Sequence, residues 1–263
     1  MRLLIVMAVL APLLASYLLT PFYIKYQEKR KITAVNFQGN SVVTTGGMVL
    51  LMALFAALPF YLYLPGRAES NYWLLILFYL SGITFLGAID DIWGETKYKG
   101  FRGHLRKMWR GEGISTGIYK AAGGLFFAVI ASAFTIQGYA PYELFIKGLF
   151  LALFSNFFNF LDTRPARTAK VFFTLSLVFM LFLRGPFLII FSLWGALYIY
   201  LFWEIKTKIM LGDTGAYLIG GMLGFYLIVT LSTVTLQYFI IILLFLHWYC
   251  EKFSLNKLIE GMN

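Results

Sequence analysis

The sequence predicts an all-α polytopic membrane protein of about nine transmembrane helices. Three observations predict it: 60% of the 263 residues are hydrophobic and only 13% charged, the apolar residues fall in runs long enough to cross a bilayer, and the basic residues crowd into alternate breaks between those runs. Soluble domains carry about 25% charged and 45–50% apolar residues, so a water-soluble enzyme is excluded. A span needs about 20 apolar residues, and nine take about 180. That leaves about 80 for every loop and tail, too few for a soluble unit, so residues 1–263 read as a single integral-membrane domain.

The runs lie at about 3–24, 46–64, 72–90, 121–137, 142–161, 169–183, 186–203, 214–232 and 235–250. The first lacks the short apolar core and small-residue cleavage site of a removable signal, and reads as a span. The single cysteine, Cys250, excludes a disulfide framework and reads as a small packed residue. Gly220 and Gly224 form a G-x-x-x-G that permits close helix packing, within the chain or between copies as a homodimer. Gly46–Gly47 and Gly123–Gly124 read the same way.

Orientation follows from the cations. With the N-terminus outside and the C-terminus cytoplasmic, the cytoplasmic breaks hold 18 of the 22 lysines and arginines; Arg2, Arg67, Lys147 and Arg184 are the others. That bias accounts for the net charge of +10 by contact with anionic lipid and requires no nucleic acid. The longest break, Asp91 to Lys120, places Lys99, Arg102, Arg106 and Arg110 at helical spacing, with Phe101, Leu105, Met108 and Trp109 mostly opposite. Residues 97–112 therefore read as an interfacial amphipathic segment, either a positive-inside anchor or a cationic wall for a phosphate-bearing substrate.

The chain has four aspartates, Asp90, Asp91, Asp162 and Asp213, all at predicted cytoplasmic ends of spans. A carboxylate at a membrane edge is costly without a partner or a task. Asp213 can cap the eighth span, and Asp162 can pair with Arg164 or Arg167. The adjacent Asp90 and Asp91 repel each other at a helix C-terminus, which disfavours anions, so a basic neighbour, a metal ion or both must offset them. Hard oxygen ligands without clustered His or Cys suit Mg²⁺ or Mn²⁺, and Mg²⁺ is commonly held by one or two carboxylates plus substrate phosphates. These residues alone point to metal-assisted phosphoryl chemistry in a cleft at the cytoplasmic face.

Four segments carry a resemblance. LGAIDDIWG (86–94) resembles the paired-aspartate motif of the polyprenyl-phosphate N-acetylhexosamine-1-phosphate transferases, glycosyltransferase family 4. MLGDTGAYLIGG (210–221) is similar to that family's M-G-D-x-G-S-x-x-x-G-G, SNFFNFLD (155–162) to its N-x-x-N-x-x-D, and TTGGM (44–48) to its T-x-G-G. Order and spacing agree over about 36–225. The resemblance implies Mg²⁺-dependent transfer of a sugar phosphate from a nucleotide sugar, of UDP type, to a polyprenyl phosphate. Release of UMP, a role in cell-envelope glycan synthesis and a place in a bacterial cytoplasmic membrane come with it. It also implies Asp213 and Asp91 as metal ligands and Asp90 and Asp91 as catalytic groups. Asn159 and Asp162 would line the nucleotide side, with Lys99, Arg102 and Arg106 on phosphate oxygens.

The chain departs from the family in three places. After Asp162 the family continues G-L-D-G-L-A where this chain reads TRPARTAK (163–170), Asn40 stands where many members have lysine, and a histidine-rich loop near the C-terminus is replaced by the lone His247. Arg164 and Arg167 can serve as a replacement phosphate clamp or as positive-inside loop residues. His247 reads as packed or interfacial. These changes motivate a second reading, a catalytically silent relative that binds polyprenyl lipid or partner enzymes. A small transporter is a third, disfavoured because no acid falls at mid-span and no inverted repeat is evident.

Overall fold

In the computed structural model, residues 2–63, 67–94, 109, 113, 115–136 and 138–252 are described, 67–71 by backbone alone. The chain runs α1 (Arg2–Arg30), β1 (Thr33–Val35), β2 (Ser41–Val43), α2 (Gly47–Phe55), α3 (Leu58–Leu62), α4 (Arg67–Trp93), α5 (Thr116–Ala133), α6 (Pro141–Leu161), α7 (Arg167–Phe182), α8 (Phe187–Ile205), α9 (Gly212–Thr230) and α10 (Thr233–Lys252). Among the described residues, seven helices are long and apolar enough to cross a membrane: α1, α4 from Tyr72, α5, α6, α8, α9 and α10. Helix also occupies the other two apolar runs, in shorter pieces. One is α2 with α3, interrupted just before Pro59, and the other is the 16-residue α7.

The bundle is built around α9, in which every residue from Thr214 to Ile228 is buried. Lipid tails are as apolar as leucine, so helices associate here through close packing rather than through water exclusion. The α9 glycines supply it. A Cβ on Gly220 would lie 2.8 Å from the Phe158 Cβ of α6, on Gly221 2.5 Å from Ile83 of α4, and on Gly224 2.9 Å from Leu151 of α6. The G-x-x-x-G face is thus filled within the chain by α6 and does not face a second copy. Gly47 of α2 meets the backbone of Gly215 in the same manner. Around this core α4, α5 and α6 pack in sequence, α10 covers the outer side of α6, and α1 lies against α8 and α2.

The chain is helical with almost no sheet, and two features refine the predicted boundaries. Residues 33–43 form an antiparallel hairpin pairing Thr33 with Val43 and Val35 with Ser41. Its turn is set by Asn36, whose Oδ1 accepts the amides of Gln38 and Asn40 (both 2.9 Å), and by Gly39 at φ +82°. The hairpin continues into the core because the Met210 amide donates to the Val43 carbonyl (2.7 Å), lacing it to the segment that starts α9. Secondly, α5 begins at Thr116, so Lys120 stands on a helix and not in the long break. The proposed amphipathic segment 97–112, with Lys99, Arg102, Arg106 and Arg110, lies outside the described residues except for Trp109.

Candidate active site

Asp91 ends α4 facing the first turn of α9. Its Oδ1 accepts the Asp213 amide (2.9 Å), and its Oδ2 accepts the Thr214 amide (3.1 Å) and the Thr214 hydroxyl. A helix start has free N–H groups and partial positive charge, so a carboxylate from another helix caps it well. Two glycines make room. A Cβ on Gly87, one turn before Asp91, would lie 2.7 Å from the Thr214 backbone. Gly212 has φ +68°, and a Cβ there would lie 2.5 Å from the Asp91 carboxylate. Asp91 therefore sets where α9 begins and hence where Asp213 points. Asp213 itself is in the first turn of α9, and no side-chain bond caps the helix from Leu211, the residue before it.

Between Asp90 and Asp213 stands Lys120. Its Nζ donates to Asp90 Oδ2 (2.6 Å) and to Asp213 Oδ2, with the lysine side chain 15% exposed and the carboxylates 21% and 26%. This is the basic neighbour that the adjacent aspartates require, delivered from the first turns of α5. Two carboxylates share one ammonium, and the Asp90 and Asp213 carboxyl groups also lie within hydrogen-bond reach of each other.

A cleft of about 260 Å³ opens beside this cluster. Asp91, Asp162 and Asp213 line it together with Glu204, the hairpin residues Asn36 and Phe37, and Arg164. Asp162 ends α6 and accepts the Thr168 hydroxyl (3.3 Å). Burial raises its carboxyl well above the usual aspartate range, and the neighbouring Glu204, Asp213 and Asp91 push it the same way. Glu204, only 4% exposed, accepts the backbone amides of Ala166 and Leu211, tying the 163–167 loop to the start of α9. The Arg164 guanidinium lies over the Phe37 ring at 5.8 Å, so the loop and the hairpin meet across the cleft. Arg167 instead bonds the Thr163 hydroxyl.

Backbone strain gathers at the rim. Thr45 (φ 60°), Ala166 (φ 62°) and Thr207 (φ 53°) are non-glycine residues in the left-handed region, and all three sit in or beside segments lining the cleft. A β-branched threonine resists that conformation. Thr45 is held there by Tyr23, whose hydroxyl lies 2.7 Å from its Oγ1, and by Gln27 at 3.0 Å. Strain of this kind persists where the surroundings over-determine it, commonly at functional sites.

The structure thus brings together Asp90, Asp91, Asp162, Asp213 and Arg164. Asn159 is half-buried one turn before Asp162 and is not part of the described cleft lining, nor is Arg167. Glu204 and Phe37, which line the cleft, and Lys120, which pairs with Asp90 and Asp213 beside it, are the residues that sequence reasoning missed. Lys120 was counted with the basic break because the apolar run was taken to begin at 121, whereas the helix begins at Thr116. The described lining offers carboxylate, hydroxyl and amide oxygens and the Met210 thioether, with no imidazole or thiolate.

None of the curated proteins matches the chain. The sequence model of Glycosyl transferase family 4 matches residues 73–231, more than half of the chain, from the buried part of α4 to the end of α9. That span contains Asp90, Asp91, Lys120, Asp162 and Asp213. A multi-pass membrane frame, clustered aspartates and the family match agree, and the chain belongs to glycosyl transferase family 4, the polyprenyl-phosphate hexosamine-1-phosphate transferase group.

Proposed function

We propose that the protein transfers an N-acetylhexosamine phosphate from a nucleotide sugar, of UDP type, to a polyprenyl phosphate at the cytoplasmic face of a bacterial membrane. The observation that carries this reading is Lys120 held between Asp90 and Asp213 at the edge of a carboxylate-lined cleft. An oxygen of the lipid phosphate bonds to the sugar-bearing phosphorus. The bond from that phosphorus to the bridging oxygen breaks, and the nucleoside monophosphate leaves with that oxygen. The N-out, C-in topology predicted from the basic residues would set this end of the bundle at the inner leaflet, where both substrates meet.

Among the described residues no three His, Cys, Asp or Glu side chains gather as a ready metal site, so Mg²⁺ would rest on one or two carboxylates together with substrate phosphates. Asp213 has an oxygen free of Lys120, and Asp91, with three of its roughly four acceptor positions filled, has one left. Asp162 lines the same cleft without joining Asp91 and Asp213 in a three-carboxylate group. Mg²⁺ bound there supplies neutralisation of the diphosphate charge that four acidic side chains would otherwise repel. Asp91 orients the start of α9, and Lys120 offers its ammonium to phosphate oxygens in the trigonal transition state. Asp90 holds that ammonium in place and accepts the acceptor phosphate's proton when it arrives protonated. Arg164 and Phe37 face the nucleotide end of the cleft.

The changed 163–170 loop favours the alternative of a silent relative, yet that loop is anchored by Glu204 and contributes Arg164 to the cleft rather than blocking it. Purified protein with undecaprenyl phosphate, Mg²⁺ and a panel of nucleotide sugars tests the reading. Mass spectrometry is expected to show a lipid-linked product that disappears in Asp213→Asn. Product that persists undiminished in Asp213→Asn, or none from any donor with lipid binding intact, overturns it.

A further inference from the structure

Helix α10 packs on α6 at the edge of the bundle and exposes Tyr238, Ile241, Ile242 and Phe245, yet it sends one polar side chain inward. His247 Nδ1 lies 2.8 Å from the Leu243 carbonyl one turn earlier. A carbonyl only accepts, so Nδ1 carries the ring proton and Nε2 of the neutral ring is an acceptor. Asn156 of α6 places its Nδ2 3.0 Å from that Nε2 and donates to it. The amide orientation is then fixed, and Asn156 Oδ1 accepts the hydroxyl of Tyr217 on α9. Phe160 holds the imidazole edge-on at 5.0 Å. At the far end of the row the Tyr217 ring faces the Lys120 ammonium, 5.3 Å from Nζ to the ring centre.

We propose that His247, Asn156 and Tyr217 are positioning residues that together hold Lys120 between Asp90 and Asp213. A lysine has a flexible four-carbon stem, and its ammonium can collapse onto either carboxylate. A ring face on its remaining side restrains it, provided the ring itself cannot turn. Tyr217 is tethered by its hydroxyl, and each donor and acceptor along the tether is determined by the Leu243 carbonyl. The row crosses α10, α6, α9 and α5, so a helix without any residue in the cleft helps to shape it. His247 is packed, and its packing has a task. The purpose assigned to Lys120 rests on the transferase reading; the row itself does not.

The test uses the full-length protein in detergent with His247→Leu, His247→Gln, Asn156→Leu, Tyr217→Phe and Tyr217→Leu. Acetic anhydride labelling of Lys120, measured by peptide mass spectrometry against the surface residue Lys206, reads its restraint without needing turnover. Labelling is expected to rise severalfold in Asn156→Leu and Tyr217→Leu and less in Tyr217→Phe. In His247→Gln, whose amide oxygen accepts from Asn156, it is expected to fall back towards the parent from the level of His247→Leu. Unchanged labelling in Asn156→Leu and Tyr217→Leu, or a His247→Gln that behaves as His247→Leu, overturns the proposal. In transfer assays kcat is expected to fall about tenfold with KM for both substrates unchanged. The Asn156→Leu/His247→Leu double variant is expected to fall no further than the worse single one. Additive losses, or losses confined to KM, overturn it. A parent that labels as predicted but transfers nothing leaves the row standing and removes the transferase reading.

Discussion

Replacing Asp91 by alanine separates support of the fold from support of the chemistry. The substitution deletes the acceptor for the Asp213 amide, the Thr214 amide and the Thr214 hydroxyl at the start of α9. Each intramolecular hydrogen bond is worth about 1 kcal/mol net, so three give about 3 kcal/mol. Loss of a carboxylate from a helix N-terminus adds about 0.5 kcal/mol. For a chain of this size a loss of 1 kcal/mol lowers Tm by about 2–4 °C, so Asp91→Ala is expected to melt roughly 10 °C below the parent. The transition is global because α9 is buried from Thr214 to Ile228, and thermal unfolding in detergent followed by tryptophan fluorescence reads it. Asp213→Asn is the contrast. It leaves Lys120 paired with Asp90 and removes an excess negative charge, so Tm is expected to hold or rise while transfer is lost. A drop under about 2 °C in Asp91→Ala, or an equal drop in both variants, would refute the assignment of Asp91 as the cap of α9.

Three further outcomes follow from the same geometry. Lys120→Met leaves the Asp90 and Asp213 carboxylates facing each other without a cation, and is expected to cost about 1–3 kcal/mol at this partly open site. The same variant is expected to lose transfer by at least about a hundredfold, and a rate near the parent's removes Lys120 from the chemistry. Gly212→Ala puts a Cβ against the Asp91 carboxylate at φ +68° and is expected to lower both Tm and transfer, whereas Gly124→Ala, with open space around it, leaves both unchanged. The Asp162 carboxyl is raised by burial and by Glu204, Asp213 and Asp91. A raised folded value stabilises the protein below the ordinary aspartate range and loses that contribution as pH rises through the folded value. In EDTA, Asp162→Asn is therefore expected to gain Tm over the parent progressively as pH rises from about 4, and a constant difference across pH contradicts this.

Periodicity and composition made the helices legible, because a bilayer demands about 20 apolar residues per span whatever the tertiary packing. The four aspartates were legible as a set, since a charge at a membrane edge is conspicuous against an apolar background. What was illegible depended on contact between distant segments. Asp91 reads as one of a repelling pair until α9 is placed against it, when it becomes a helix cap 122 residues away. Lys120 looked like one more cation of a basic loop, because the boundary of α5 falls within an ambiguous polar stretch. The hairpin escaped notice because its strands are three residues each, too short for alternation to declare itself, though Asn36, Gly39 and Asn40 carried the turn chemistry. His247 was read correctly as packed, but its partners Asn156 and Tyr217 lie on two other helices.

The central claim is that this cleft transfers a sugar together with its phosphate. With a productive nucleotide sugar in hand, ³¹P NMR of the completed reaction distinguishes that step from transfer of the sugar alone. The account predicts one nucleoside monophosphate released for each polyprenyl diphosphate-linked sugar formed. Release of nucleoside diphosphate, with a single phosphate between lipid and sugar, would contradict it.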